Sequence, residues 1–330
     1  MRWIIRRVLL AFLTIYVVIT ITFFLIRLMP GNIIDMLLLE YQRMGVPREL
    51  ALAEIAALYN INLSEPLWMQ YLRYVSSLLR GDLGLCYISR VPVATTLLHA
   101  LPWTVFLLSI SMTVSFVIGV GMGMLMAYKR GSILDNALST FASISYAIPN
   151  YILGLLLLYF LAIYYPIFPA RGSYDINIPP GFTIEFISSV LYHSILPMLA
   201  YVLTSVGGWM LAMRSSTIRV LGEDYVMAAE ARGLKTSRIA TTYVGRNAIL
   251  PLFTTFAISL GYMFGGSVFI ETYFGYSGIG QILSLAMSYR DYPLIQGGVL
   301  LITSAVVISN LIADLLYAKL DPRIRMGERR

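Results

Sequence analysis

Long stretches without Asp, Glu, Lys or Arg constrain the fold of this chain more than any other feature of its sequence. There are six of them, at residues 8–26, 100–128, 136–170, 186–213, 247–270 and 292–313. Each is close to, or longer than, the ~20 apolar residues that cross a ~30 Å hydrocarbon core. Backbone polar groups have no water to bond in lipid, so such stretches form helices. The sequence therefore predicts an all-α, polytopic membrane protein with six transmembrane helices.

The composition supports a membrane environment. Hydrophobic residues make up 58% of the chain and charged residues only 12%, with a mean hydropathy of +0.76. Soluble domains average roughly 45–50% apolar and about 25% charged residues. The stretch 136–170 is long for one helix, and we expect Pro166 and Pro169 to end it near the far surface, because proline breaks helices.

The basic residues predict the orientation, because Lys and Arg accumulate in short cytoplasmic loops. Six spans with a cytoplasmic N-terminus place 16 of the 24 Lys and Arg residues inside, and the C-terminus is then also cytoplasmic. These residues are Arg2, Arg6, Arg7, Lys129, Arg130, Arg214, Arg219, Arg232, Lys235, Arg238, Arg246, Lys319, Arg323, Arg325, Arg329 and Arg330. The net charge of +7 thus reflects orientation in a cell (plasma) membrane with lipid as a partner. Nucleic-acid binding is not expected, because the basic residues are spread over separate loops.

The first stretch also resembles a secretory signal, but we interpret it as a retained helix. Its 19 uncharged residues exceed a typical signal core, and no Ala-x-Ala site follows. Cys86 is the only cysteine, which excludes an internal disulfide, and with two histidines no metal site is predicted. No cofactor site is expected either.

These features divide the chain into four parts. Residues 1–28 hold the N-terminal end and first span, 29–98 an extracytoplasmic helical segment, 99–320 a five-helix membrane core, and 321–330 a cytoplasmic tail. Within 29–98, helices are predicted from Pro47 to about Asn60 and from Pro66 to Leu79, where Gly81 ends the second. The second helix has an apolar face that packs on the same chain or meets an outside partner, and the first interpretation is the simpler. This face consists of Tyr71, Tyr74, Val75, Leu78 and Leu79. Residues 171–185 are predicted to be a loop.

Small and polar residues within the predicted spans suggest close contacts and a wet surface. Glycines recur at 119, 121 and 123 and at 261 and 265. Such spacing lets helices approach closely, either within this chain or against a second membrane subunit. The third span carries candidate pore-lining residues beside Pro149, and polar groups at this depth either line a cavity or are buried in protein. These candidates are Ser143, Ser145, Tyr146 and Asn150.

The segment from Glu223 to Pro251 is the most informative motif. Asp224 suits a helix N-terminus, alanines 228, 229 and 231 favour the helix, and Gly233 suits a left-handed position after its end. Pro251 is positioned to begin or kink the next helix. The segment is therefore either a rigid surface on which another protein docks, or only a charged loop that fixes the orientation of the chain in the membrane.

This segment resembles the EAA loop of ABC-importer permeases, in the long version found in peptide permeases. Further stretches in the same order resemble the dipeptide/oligopeptide permease family, in particular its subunit with a large first outer loop. They are Arg27-Leu28-Met29-Pro30-Gly31, Gly81-Asp82-Leu83-Gly84, Glu271-Thr272-Tyr273-Phe274-Gly275-Tyr276-Ser277-Gly278-Ile279-Gly280, Asp291-Tyr292-Pro293 and Leu320-Asp321-Pro322-Arg323-Ile324-Arg325.

The resemblance implies a non-catalytic permease that pairs with a second, homologous permease. Two cytoplasmic ATPases would dock below, and an extracytoplasmic substrate-binding protein would deliver peptides. The resemblance also implies that the coupling loop at about 214–246, together with residues 247–251 that follow it, contacts the ATPase. The implied coupling residues are Asp224, Ala228, Ala229, Gly233, Leu234, Arg246, Asn247 and Pro251. The sequence departs from the family at Met227, where the motif has glutamate, at Asn32-Ile33 and at Tyr243.

Other functions fit the sequence less well. It has no His-Glu-x-x-His, no Gly-x-Ser-x-Gly and no P-loop, which argues against an enzyme or a self-powered ATPase. An ion-coupled secondary transporter would be expected to carry a charged residue inside a span, and none lies in the six stretches. The cargo stays open among peptides, oligosaccharides and nickel complexes.

Overall fold

The computed structural model describes residues 2–28, 38–39, 41–59, 65–262 and 268–320. Within these residues every named element is helical. One isolated antiparallel β-bridge joins Leu85 to Pro92 in this part of the chain. The helices are α1 (Arg2–Leu28), α2 (Arg48–Tyr59), α3 (Leu67–Leu79), α4 (Val93–Tyr128), α5 (Ile133–Ala147), α6 (Asn150–Leu157), α7 (Ile184–Leu221), α8 (Asp224–Ala231), α9 (Arg246–Tyr262), α10 (Val268–Tyr273), α11 (Ile279–Tyr289) and α12 (Tyr292–Leu320).

The all-α membrane fold is confirmed, whereas the number of six spans stays a prediction. Among the described residues four helical segments are long and apolar enough to cross a membrane: Ile5–Leu28, Val93–Tyr128, Ile184–Leu221 and Tyr292–Leu311. A bent pair, α5 with the extended α6, brings the number to five. The predicted span 247–270 overlaps α9, whose 17 residues rise about 26 Å, and residues 263–267 lie outside the described structure.

The predicted span 136–170 is not a single helix. The helix α5 ends at Ala147, and α6 begins at Asn150 and continues as a π-helix over Leu158–Tyr164, at 96° to α5. Pro149 is the physical cause: it donates no backbone hydrogen bond and pushes Ile148 into an extended conformation, with φ −80° and ψ 122°. Proline therefore interrupts this stretch near its middle, rather than only at Pro166 and Pro169.

The helix α7 lies at the centre of the bundle and packs against α4, α5, α6 and α9. Two glycines of α4 make the α4–α7 contact close. A Cβ on Gly119 would lie 2.4 Å from the Trp209 Cβ, and one on Gly123 would lie 2.4 Å from the Met210 carbonyl oxygen. These two glycines therefore serve packing within the chain. A Cβ on Gly121 would meet no neighbouring element within 4 Å, and Gly265 lies outside the described residues.

The outer helices have the predicted bounds within one residue, and α3 packs on α1. Tyr71 donates or accepts a 2.7 Å hydrogen bond with Thr20, and Tyr74 stacks on Phe23 with ring centres 5.4 Å apart. The apolar face of α3 thus contacts its own chain. Leu79 is an exception to the predicted face, because its side chain is exposed at the helix end. The predicted loop 171–185 contains no helix up to residue 183, but α7 begins at Ile184, so the loop ends two residues earlier than predicted, and Thr183 caps this helix.

Candidate functional site

The helix α8 ends in a hydrogen-bonded turn that requires a left-handed residue. The Gly233 N–H bonds to the Glu230 carbonyl at 2.8 Å, and the Leu234 N–H bonds to the Ala229 carbonyl at 3.3 Å. These are the two bonds of a Schellman motif, with Gly233 at φ +71°. The predicted left-handed conformation of Gly233 is confirmed. Open space surrounds the position of its missing Cβ, so only the backbone conformation limits substitution there.

One face of α8 is attached to the rest of the chain, and the other is free. Val226 and Ala229 are buried together with Ile239 and Val244, and Tyr128 at the end of α4 packs against this cluster. Tyr225, Met227 and Ala228 are exposed, as are the acidic residues at the helix start. Of the two alanines among the implied coupling residues, Ala228 is therefore available to another protein, whereas Ala229 holds α8 in place. Asp224 occupies the first turn, as predicted.

From Thr236 onward the chain returns to the bundle as one continuous helical segment. A single α-helical turn at Thr236–Arg238 leads into a π-helix over Ile239–Gly245, which continues directly into α9. Pro251 therefore does not begin this helix but lies inside it, after one and a half turns. Arg246 is exposed, and the Asn247 side chain donates a 2.7 Å hydrogen bond to the Tyr243 carbonyl. Leu234 is half-buried against the α8 cluster.

A charged pair that the sequence did not reveal anchors α5 to α7 near this segment. The Asp135 carboxylate accepts two hydrogen bonds from the Arg214 guanidinium, at 2.7 and 2.8 Å, and a third from the Gly131 N–H at 2.9 Å. Asp135 is buried and Arg214 is partly exposed. The two residues are 79 positions apart, and the only sequence signal is that each lies next to an uncharged stretch.

A cavity of about 820 Å³ opens at the break between α5 and α6. It is bounded by α4, α7 and α9 as well, and its wall combines apolar side chains with hydroxyl groups. The lining residues are Leu108, Ser111, Met112, Tyr146, Ile148, Asn150, Tyr201, Thr204, Ser205, Gly208, Trp209, Leu211, Ala212, Thr255 and Ser259. None of these carries a formal charge. The cavity can therefore contact a polar solute through hydroxyl and aromatic groups but offers no ion pair.

The predicted pore-lining residues divide into two pairs. Tyr146 and Asn150 line the cavity, and the Tyr146 ring lies against Gly208, where a Cβ would be 3.0 Å away. Ser145 is buried and donates its hydroxyl to the Leu203 carbonyl of α7, so it joins two helices instead. Ser143 is exposed and bonds to Ser139 of its own helix. The sequence missed Tyr201, Thr204 and Trp209, because no local signal tells which side of the long helix α7 faces the cavity.

Metal binding has no candidate among the side chains that the structure describes. No three His, Cys, Asp or Glu residues of this part of the chain lie close enough together to hold an ion. Cys86 is buried, and its sulfur lies 3.5 Å from the Thr96 hydroxyl.

Two family profiles together match almost the whole chain. "Binding-protein-dependent transport system inner membrane component" matches residues 119–326, and "Binding-prot-dependent transport system membrane comp, N-term" matches residues 1–108.

Curated relatives are similar over nearly their full length. The dipeptide transport system permease protein DppB of Escherichia coli is 32% identical, over 98% of this chain and 99% of the relative. The di/tripeptide transport system permease protein DppB of Pseudomonas aeruginosa is 34% identical, over 97% of each. The oligopeptide transport system permease protein AppB of Bacillus subtilis is 31% identical, over 98% of each.

A solved structure has a similar fold. A chain from the inward-facing MetNI methionine ABC transporter has a TM-score of 0.50 and 18% identity. The match covers 69% of this chain and 97% of the solved one. At this identity the similarity concerns the fold alone.

Proposed function

Because this chain belongs to the binding-protein-dependent transport system inner membrane component family, we propose that it forms half of a membrane pathway for peptides, with a second, homologous permease as the other half. It is a multi-pass membrane protein and the non-catalytic permease subunit of an ABC importer, in which ATP is hydrolysed by a separate subunit. Family membership also implies a substrate-binding protein as a partner.

The peptide cargo rests on one observation above all. Relatives that match nearly the whole chain are named as dipeptide, di/tripeptide and oligopeptide permeases. The uncharged, hydroxyl-lined cavity is compatible with this cargo, because backbone amides of a short peptide can bond to Ser and Thr while its varied side chains meet no fixed charge.

One of the two cytoplasmic ATPases is proposed to dock on the exposed face of α8 in this chain, and the other on the second permease. In this proposal the N- and C-termini are cytoplasmic, and the binding protein delivers cargo at the opposite side. The support is the division of α8 into a buried face with Val226 and Ala229 and an exposed face with Tyr225, Met227 and Ala228. A helix fixed to the bundle on one side transmits a force applied to its other side.

Uptake by the purified complex tests the proposal. The complete transporter, with both permeases and its ATPases, is placed in liposomes containing ATP, and its binding protein is added outside with a labelled tripeptide. We expect ATP-dependent tripeptide uptake that unlabelled tripeptide competes with and that a trisaccharide or a nickel chelate does not. Transport of either competitor without transport of any peptide would refute the peptide cargo. As a control, this subunit alone is expected to show no ATP hydrolysis.

A further inference from the structure

A buried carboxylate joins three helices on the side of the bundle opposite α8. Glu271 of α10 lies between the predicted spans 247–270 and 292–313, and its side chain has no exposed surface. It accepts hydrogen bonds from the Thr104 hydroxyl of α4 at 2.9 Å and from the Gly280 N–H of α11 at 2.6 Å. The Thr104 oxygen in turn accepts a 2.8 Å bond from the Ile279 N–H.

The start of α11 fits closely around this carboxylate. A Cβ on Gly278 would lie 2.3 Å from a Glu271 carboxylate oxygen, and one on Gly280 would lie 2.9 Å from it. No side chain fits at either position without displacing the carboxylate. The helix has 11 residues, and its first N–H groups point at Glu271, so the helix dipole favours a negative charge there. The glycines of this motif therefore make room for an acidic cap.

The capped helix is connected to the wall of the cavity. Thr104 precedes the cavity residues Leu108 and Ser111 of α4 by about one and two turns. Ile270 and Phe274, on either side of Glu271, pack with Leu107 of α4 and Ala200 of α7. Tyr201, the next residue of α7, lines the cavity. A displacement of α11 would therefore act on α4 and α7, which also bound the cavity.

We propose that Glu271 is a positioning residue for transport: it holds the N-terminus of α11 against α4 and keeps the adjacent end of the cavity closed until the pathway opens on that side. This proposal rests on the proposed function, in which that side is extracytoplasmic. Opening separates α11 from α4 and exposes the carboxylate to water.

The charge of Glu271 gives this latch a measurable signature. Burial raises the pKa of Glu271 to about 7, against the opposing effect of its hydrogen-bond donors. Among the described residues, the titratable side chains that interact with its charge are Tyr201 of α7 and Tyr276, and the Tyr276 hydroxyl bonds to Ser194. A hydrated glutamate in the open state has a pKa of about 4.3. The closed state therefore binds the proton more tightly, so acid favours closure, and opening becomes easier as the pH rises through 7.

Thiol labelling of the cavity tests the latch. Ser205, which lines the cavity, is replaced by cysteine in a Cys86→Ser background of the assembled transporter, and an impermeant thiol reagent is added outside. The labelling rate is measured at pH 6 and pH 8, with and without Glu271→Gln, a neutral side chain of the same shape. The ratio of the two rates at each pH cancels the intrinsic pH dependence of the thiol.

We expect the parent-to-Gln ratio to rise by about tenfold from pH 6 to pH 8, the shift that linkage gives for a pKa moving from about 7 to about 4.3 on opening. Glu271→Asp keeps a titrating carboxylate and should retain a pH dependence. An unchanged ratio between the two pH values would overturn the proposal.

Thr104 provides an independent test with a matched control. Thr104→Val keeps the shape but removes the hydroxyl that bridges Glu271 and the Ile279 N–H, so labelling of the cavity should increase at both pH values. Thr104→Ser keeps the hydroxyl and should label like the parent. Equal labelling of the two variants contradicts the latch. Because labelling does not depend on the cargo, its result is separate from the peptide-uptake experiment.

Discussion

Gly233 shows how one residue can be constrained by its backbone alone. Its φ of +71° closes the turn after α8, yet apart from its two chain neighbours no residue has an atom within 4 Å of the place where a Cβ would be. An ordinary residue in this conformation costs roughly 1–2 kcal/mol, whereas Asn and Asp adopt it more readily. Conformation and charge can therefore be varied separately at this position.

Replacing Gly233 by Asn or by Asp gives two variants of nearly equal shape and different charge. If the exposed side of this turn meets an ATPase, Gly233→Asp places a charge into the contact, and an unpaired buried charge costs several kcal/mol. We expect Gly233→Asp to reduce uptake at least tenfold and to weaken ATPase co-purification, at near-normal membrane abundance. Gly233→Asn should keep most of the uptake. Equal uptake by the two variants would show that this turn meets solvent only.

At the scale of elements, the contact between α4 and α7 depends on which side of α4 its glycines occupy. Gly123 faces α7, where a Cβ would lie 2.4 Å from the Met210 carbonyl oxygen and 2.8 Å from the Met213 Cβ. Gly121 faces away from α7, with open space around it. The same residue type, two positions apart, thus has opposite tolerance for a methyl group.

Alanine substitution at these two glycines should therefore have opposite effects. Gly123→Ala forces α4 and α7 apart, and overpacking of this kind costs about 1–3 kcal/mol. Gly121→Ala meets no neighbour and improves helix propensity by about 1 kcal/mol. We expect a lower thermal unfolding midpoint for Gly123→Ala of the detergent-purified transporter, and an unchanged or higher one for Gly121→Ala. A lower midpoint for Gly121→Ala would indicate that this face contacts the second permease.

At the scale of the whole molecule, the distribution of basic residues predicts an orientation that thiol chemistry can test. The exposed loops provide positions on both predicted sides, and Cys86 is buried and can be replaced by serine. Ser132 precedes α5 and Ser237 follows α8, both on the predicted cytoplasmic side, whereas Asn177 lies in the loop before α7.

Single cysteines at these three positions test the orientation in intact cells. With an impermeant thiol reagent outside, we expect labelling at Asn177→Cys and none at Ser132→Cys or Ser237→Cys. Permeabilised cells should label at all three positions, which controls for burial of the new thiols. Labelling of Ser237→Cys in intact cells would invert the proposed orientation and place α8 on the outer side.

The sequence by itself determined the features that depend on neighbouring residues. Uncharged length identified the all-α membrane fold but not the number of spans or the break at Pro149, and the bounds of α2 and α3 followed from periodicity, proline and glycine. The left-handed Gly233 followed from its place after an alanine-rich helix. Each of these rests on interactions within a few positions along the chain, so a local pattern was sufficient.

Only the tertiary structure decided which side of each element is used. It placed Tyr146 at the cavity but Ser145 against α7, and it buried Ala229 while leaving Ala228 exposed. It paired Asp135 with Arg214 across 79 positions and Glu271 with Thr104 across 167. Such contacts depend on how distant helices approach one another, which the spacing of residues within one helix does not encode.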